Sequence, residues 1–481
     1  MDDSGLITVF FWCSATTCKR RHALRIFNSD FVYYMFRQIS TAFGKDNFLS
    51  RLLLAGIILR LFLYITLPGF GVDAHGEVIN FILEKGRLPL TREVFCAMHP
   101  PLYYLLSLPF FYFDNIHSQK ITQIFSLLLA CGNLYLLYLL CRNLLEDIVV
   151  RNVAFLLAVF LHSFVTFSLY VSNDTLAYFL GTYIFYALHR YIQNPTLKNE
   201  ILIAVLLGLG LLTKGTFLAF GPSLGLVVIL SLWKKNVPLI SIIGRLALFI
   251  IITLVLGSYK YLENYYAEHR LIAHNIDFFY YMPANTFIGI KSLLYFNLKQ
   301  LVKFPTYFQG DPMLEHVYPI IFYATFWYKF CEPLNGFELG SRTSFKYIGS
   351  VIYIIGLLPS ILILLGAFLK SLSVFRFLGK FKSSSGENFK KGLEEAAWLS
   401  ILLMSILLVI IAGCKYNVWV CFQSRLFLQA FFPIIWILYA GLKFVREKSK
   451  FAFNVSALSM LTISLLYIVY YFTEGIHILL A

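Results

Sequence analysis

This sequence predicts an all-α, multi-pass membrane fold: about eleven transmembrane helices with short interfacial helices on the outer face. Three observations predict it. Hydrophobic residues make up 59% of the 481 and charged residues 14%, and the mean hydropathy is +0.73, a balance that soluble domains do not reach. Apolar runs of roughly 17–25 residues recur, each long enough to cross a ~30 Å hydrocarbon layer. Lys and Arg gather in alternate gaps between those runs, as cytoplasmic loops do. The net charge of +15 therefore reports topology and gives no reason to expect nucleic acid. The eight cysteines form neither a CxxC metal pair nor a disulfide framework, and Cys414 and Cys421 are the pair placed to bridge on the outer side.

Taken in order, residues 1–49 read as a cytoplasmic amino-terminal extension. The apolar run 6–13 is too short for a signal-peptide core, and Lys19, Arg20 and Arg21 follow it instead of preceding it. A transmembrane core over 50–258 holds spans near 50–69, 120–141, 152–171, 175–192, 200–213, 216–233 and 240–258. A long outer-face segment covers 259–345. Residues 346–481 carry spans near 346–369, 397–413, 425–442 and 451–472, interrupted by a cytoplasmic linker at 370–396 whose stretch KSSSGENFKKGLEE (382–395) reads as flexible.

The basic clusters CKRRHALR (18–25), HRYIQNPTLKN (189–199), WKKNVPLISIIGR (233–245) and LKFVREKSK (442–450) all fall on one side under this alternation. The gaps 70–118, 172–174, 258–346 and 414–425 fall on the other. One segment tests the count. PLYYLLSLPFFYF (101–113) is apolar, yet thirteen residues reach only about 20 Å, and counting it as a span would invert every later loop. It reads as an interfacial helix entered through Pro100 and Pro101, with a second short one over 76–83.

The ionisable residues at the outer gaps are the candidate chemistry. Asp73 follows the Pro68–Gly69 end of the first span, between Gly71 and Gly76, which permit a tight turn; it reads as a proton acceptor for a nucleophile or as a solvated loop acid. Glu77 fits substrate binding and also a first-turn helix acid. His99 begins the interfacial helix as a hydrogen-bond donor to a phosphate oxygen, a metal ligand or a cap. Asp174 either caps the next helix or faces Asp73 across the cavity to share a substrate or divalent ion. Lys214 and Arg425 sit beside helix breaks at membrane depth, where two converging cations suit a lipid phosphate. Arg60, inside the first span, is a third cation or an internal bundle partner. No cofactor is fixed by the sequence; a divalent metal held by His99 with Asp174, His269 or His274 is compatible with it.

In this order, a first-loop aspartate, GRLP (86–89) with HPPLYYLL (99–106), NDTLA (173–177), LLGLGLLTK (206–214) and SRLFLQAFFP (424–433) resemble the GT-C superfamily of integral-membrane glycosyltransferases. Within it the chain resembles the protein O-mannosyltransferase and aminoarabinose-transferase type. The resemblance covers 50–235 and 397–442; over 259–345 it extends only to a long outer-face segment.

That resemblance implies a sugar taken from a polyprenyl- or dolichyl-phosphate donor and passed, by inverting displacement, to a lipid, glycan or protein acceptor. It implies Asp73 and Asp174 as catalytic acids, and Glu77, His99, Lys214 and Arg425 as substrate-binding residues. The site would lie on the periplasmic face of a bacterial inner membrane or the lumenal face of the endoplasmic reticulum. The loop reads DAHGE (73–77) where many relatives have adjacent acids, and Leu426 stands where an aromatic is usual. Two other classes fit the composition: a polytopic transporter, which would place its ionisable groups at midplane in repeated halves, and a non-catalytic lipid-binding protein.

Overall fold

The structure is a computed structural model that describes residues 47–67, 74–113, 119–167, 169–278, 293–303, 317–328, 343–416 and 419–480. The expectations for the extension before residue 47, for Asp73 and for much of 259–345 lie outside the described residues.

Helix α1 (Phe48–Thr66) is apolar on every side, as lipid contact requires. Its protein-facing stripe is Leu49, Leu52, Gly56, Leu59 and Leu63, at helical spacing, while Leu54, Ile58, Leu61 and Ile65 point outward. Two short helices follow, α2 (His75–Lys85) and α3 (Leu102–Tyr112). They pack against each other. Eleven residues make α3 roughly 16 Å long, so it cannot cross.

Then come α4 (Thr122–Leu144), α5 (Ile148–Phe160), the single turn and a half α6 (His162–Phe167), α7 (Asn173–Gln193) and α8 (Leu197–Leu211). A 3₁₀ turn, Gly215–Ala219, leads to α9 (Gly221–Lys234) and α10 (Leu239–Gly257), and α11 (Tyr259–Glu268) opens the next segment. The remaining helices are α12 (Leu298–Lys303), α13 (Tyr318–Trp327), α14 (Thr343–Ile355), α15 (Leu357–Gly379), α16 (Gly386–Tyr416), α17 (Phe431–Lys448) and α18 (Lys450–Leu480).

Eight stretches among the described residues are long and apolar enough to cross a bilayer: Phe48–Thr66, Thr122–Leu144, Gly215–Lys234, Leu239–Gly257, Tyr347–Gly379, Gly386–Tyr416, Ser424–Lys448 and Lys450–Thr473. The chain is a multi-pass membrane protein. The expected count of about eleven is not reached on those criteria, and burial explains two of the differences. Helix α7 is surrounded by α4, α8, α16 and α17, so it faces protein and carries polar residues that a lipid-facing span excludes. The expected span 152–171 breaks at Leu161, where the backbone leaves helical geometry and His162 is held by the Tyr471 hydroxyl, 2.8 Å from Nδ1.

Helix α17 is the hub: 78% of its apolar window is buried, against 17% for α10 at the rim. Glycines set the closest approaches. On α15 and α17, Gly366 lies against the carbonyl of Ile437 and Gly441 against that of Leu362, so a methyl on either would strike backbone. Gly181 on α7 lies in the same way against the carbonyl of Gln429.

The flexible linker expected over 382–395 is a correction. Helix α16 begins at Gly386, because Glu, Lys and Ala are good helix formers and the acids at its end are buried in pairs. Glu394 meets His189 at 2.6 Å and Glu395 meets Lys370 at 2.6 Å. Only the turn around 380–385 joins α15 to α16.

Candidate active site

The stripe Asp174, Tyr178, Gly181 on α7 has the i, i+4, i+7 spacing of one helix face. Ser172 caps the helix, its Oγ accepting from the Asp174 N–H at 3.3 Å. Lower on the same stripe, the Tyr178 hydroxyl donates to the Arg425 carbonyl at 3.2 Å, and Gly181 admits the backbone of the 3₁₀ turn Ser424–Ala430. That contact delivers Arg425 to Asp174, with Nη1 3.8 Å from Oδ2. The Arg425 guanidinium also sits 5.0 Å from the centre of the Phe167 ring.

Lys214 arrives from the other side. Helix α8 ends at Leu211, and Lys214 is extended at the entry to the next 3₁₀ turn. The Asn173 side-chain amide donates to the Thr213 carbonyl at 3.2 Å, which clamps the turn against α7. Lys214 Nζ is ion-paired with Asp174 Oδ1. The Leu102 N–H at the head of α3 donates to the Leu212 carbonyl at 3.0 Å, so the interfacial helix is tied to the same turn.

The result is one buried carboxylate between two buried cations, each less than a tenth exposed. These three residues line a cavity of about 80 Å³ together with His75, Cys96, His99, Asn173, His274 and Cys421. The structure therefore brings together Asp174, Lys214, Arg425 and His99 of the residues expected from sequence. Glu77 is exposed on the first turn of α2 and does not line the cavity. Arg60 is fully buried elsewhere, with Nη1 donating to the carbonyls of Gly56 and Val159 at 3.0 and 3.2 Å. Asp73 lies outside the described residues, two positions before the cavity-lining His75.

Three residues that sequence reasoning gave no definite role complete the wall. His75 opens α2, and its Nδ1 is 2.9 Å from the Tyr104 hydroxyl. That hydroxyl donates to the Cys96 carbonyl at 3.1 Å. His274 follows α11 in the segment expected to lie on the outer face. It caps the 3₁₀ turn Asn275–Asp277 in a reciprocal box with Asp277, and its ring packs on Tyr416. Asn275 N–H meets Met98 Sδ at 3.3 Å, closing this segment over the loop that carries His99.

Burial, then the charges of His75, Lys214, His274 and Arg425, holds His99 well below its ordinary pKa, so it is a neutral imidazole. Burial, followed by Lys415, holds His274 at about 4 despite Asp277. Among the described residues that line the cavity stand one carboxylate, Asp174, and two cations, Lys214 and Arg425. Cations so placed can stabilise negative charge that builds beside them.

Of the metal grouping expected from sequence, His99 and His274 line the same cavity, Asp174 is ion-paired with Lys214 and accepts from the Ser172 hydroxyl, and His269 is an exposed left-handed C-cap of α11. His75, Cys96 and His99 also place their ligand atoms within 4.8 Å of one another, a set compatible with a divalent metal ion. Cys414 and Cys421 form no disulfide.

Residues 90–293 match the family model described as dolichyl-phosphate-mannose-protein mannosyltransferase, in keeping with the resemblance carried by the motifs. No curated protein matches the chain. Among solved structures, the chain is similar to the oligosaccharyltransferase of Archaeoglobus fulgidus in its apo form, at 14% identity and TM-score 0.46, covering 90% of this chain and 56% of that one. It is also similar to ArnT from Cupriavidus metallidurans bound to undecaprenyl phosphate, at 13% identity and TM-score 0.37, covering 86% and 77%. The chain thus spans little more than half the length of the oligosaccharyltransferase.

Proposed function

We propose that this protein is a membrane glycosyltransferase that moves a sugar from a polyprenyl- or dolichyl-phosphate donor to an acceptor hydroxyl on the periplasmic or lumenal face. One observation carries the reading: Lys214 and Arg425 outnumber Asp174 in a buried cavity beside an interfacial helix. The family match makes dolichyl-phosphate mannose and a protein acceptor the first pair to test.

In this reaction the acceptor oxygen bonds to the anomeric carbon as the bond from that carbon to the phosphate oxygen breaks. The configuration inverts, and the lipid phosphate leaves with one more negative charge than it had as a diester. Lys214 and Arg425 stabilise that developing charge. At an effective dielectric of ~20, a unit charge about 4 Å away contributes roughly 4 kcal/mol. Asp174 is not the base: its oxygens hold the two cations in place. The proton goes to Asp73, whose position in the chain, two residues before His75, supports that role.

The test is to incubate purified full-length protein with dolichyl-phosphate mannose and a Ser/Thr-rich peptide and to measure both glycopeptide and dolichyl phosphate. Both should form in equal amounts. Neither should form with Asp73→Asn, and transfer retained by that variant would remove Asp73 from the mechanism. No lipid phosphate from any polyprenyl-linked sugar would sink the glycosyltransferase reading.

A further inference from the structure

A second, larger cavity, about 500 Å³, lies roughly 22 Å along α7 from Asp174, at the end of the spans where the basic clusters gather. The transfer reaction gives it no part, yet its volume is that of a small-molecule site. Its shape follows from helix packing. Gly366 on α15 and Gly441 on α17 bring two backbones into contact. Just past that crossing, Leu369, Lys370 and Ser373 of α15 and Lys443, Phe444 and Glu447 of α17 line the space between the two helix ends, and Glu394, Glu395 and Trp398 of α16 form its floor.

The inner charges are already matched. Glu394 meets His189 at 2.6 Å, and Glu395 meets Lys370 at 2.6 Å and accepts from the Ser373 hydroxyl at 2.8 Å. The Lys370 ammonium also stands 4.5 Å from the centre of the Trp436 ring. What the inner wall still offers is apolar surface and one donor. The indole N–H of Trp398, a residue only 3% exposed, has no hydrogen-bond partner among the described residues. A buried donor without an acceptor favours an occupant that carries oxygen.

The rim differs from the floor. Glu146, Glu447 and Lys391 are exposed there and Lys443 is half-buried. Glu387, also on the rim, is taken by Lys390, but these four have no ion-pair partner among the described residues. Two carboxylates and two ammonium groups around one mouth suit a ligand that carries one charge of each sign and none in sum.

Depth selects the source of such a ligand. The mouth is made by the last turns of α17, the first turns of α16 and the turn between α4 and α5, where spans leave the apolar layer. At that depth the membrane presents phosphate and ammonium groups joined through esters to an apolar body. The phosphate suits the lysines, the ammonium the acids, and the ester oxygens the Trp398 donor. A primary ammonium fits better than a quaternary one, because it donates hydrogen bonds to carboxylates. A quaternary group seeks an aromatic face, and Trp436 already holds Lys370.

We propose that this cavity binds a glycerophospholipid with an ethanolamine headgroup, its phosphate at Lys391 and Lys443 and its ammonium at Glu146 and Glu447. The site does not depend on the glycosyltransfer reading.

The full chain is purified in mild detergent, washed free of lipid and titrated with dioleoyl-phosphatidylethanolamine, and bound lipid is counted by native mass spectrometry. One equivalent should bind and should raise the melting temperature. The double variants Glu146→Gln/Glu447→Gln and Lys391→Gln/Lys443→Gln change side chains at the rim and leave the packed floor intact; each should weaken binding roughly tenfold. Lys198→Gln, at the same end of the molecule but outside the cavity, should change nothing.

Protein that holds no lipid at one equivalent overturns the site, and binding unchanged in both double variants overturns the rim as its anchor. Equal binding of dioleoyl-phosphatidylcholine or dioleoyl-phosphatidylglycerol overturns the ethanolamine headgroup. Stabilisation by soluble glycerophosphoethanolamine equal to that by the lipid overturns the bilayer as the source. One equivalent bound with these preferences, in a chain that transfers no sugar, keeps the lipid site and removes the enzyme reading.

Discussion

The two ends of α7 both bury charge, and they do it differently. At the amino-terminal end one acid, Asp174, faces two cations across a small cavity. Toward the carboxyl-terminal end, roughly 22 Å away along the helix axis, His189 pairs with Glu394. Nearby, Glu200 pairs with Arg245 at 2.7 Å and also accepts from the Tyr191 hydroxyl at 2.7 Å. Glu395 takes both Lys370 and Ser373. Here each of these three buried acids has its own partner. The larger cavity, about 500 Å³, also lies at this end, lined by His189, Lys370, Glu394 and Glu395. Size and burial do not separate the two ends. Charge count does: among the described residues two cations share the single acid Asp174 at one end, while at the other each of these buried acids has a partner of its own, and paired ions pin helices together.

The sharpest way to break this comparison is at Asp174. Asp174→Asn leaves Lys214 and Arg425 facing each other without their acid, so both transfer and thermal stability should fall steeply. Lys214→Ala keeps the Asp174–Arg425 pair and should cost roughly 10²–10³-fold in kcat with smaller loss of stability. A Lys214→Ala enzyme with normal turnover would end the argument from imbalance.

At the balanced end the pattern should reverse. Glu200→Gln strands Arg245 and weakens the Tyr191 contact, lowering stability by about 1–3 kcal/mol while kcat/KM stays at the parent value; a large fall in kcat/KM in folded protein would put chemistry at this end as well.

Acid separates the two ends more gently. Unfolded His274 protonates near 6.5, but the folded residue holds off until about 4, so its share of stability is complete above about 6.5 and is lost as pH falls toward 4. His274→Asn, which keeps an acceptor for the Ile276 N–H, should flatten the melting temperature between those values. The smallest effect belongs to Arg87 and Glu93, a two-pronged but solvent-exposed pair at 2.6 and 2.8 Å. Arg87 draws the Glu93 pKa down to about 2, yet water screens the pair, and Glu93→Gln should leave melting and turnover where they were.

Much of this was legible in the chain itself. Apolar runs located nearly every long helix, because lipid permits little else. Asp174, Lys214 and Arg425 stood out as ionisable residues beside helix ends. Why they meet lies in the 174, 178, 181 stripe, where the Tyr178 hydroxyl donates to the Arg425 carbonyl and Gly181 admits the Gln429 carbonyl of the same turn. The histidine–thiol trio was not legible. His75 and Cys96 are twenty-one positions apart, and their meeting depends on a hydrogen bond from Tyr104 that no periodicity announces. The helical start of α16 was missed for a related reason: polar acids suggest solvent until their partners on α7 and α15 are seen.

The hydrogen bond from the head of α3 to the Leu212 carbonyl ties a helix too short to cross the bilayer to the turn that carries Lys214. Anything that raises or lowers α3 relative to the membrane core will displace that lysine from its partner. Reconstituted in vesicles of increasing acyl-chain length, the protein should therefore show turnover that peaks at one bilayer thickness, with substrate chemistry held constant. A hydrophobic dimension of the host membrane would then act as a tuning parameter for the enzyme, and a flat response across chain lengths would show the strap to be slack.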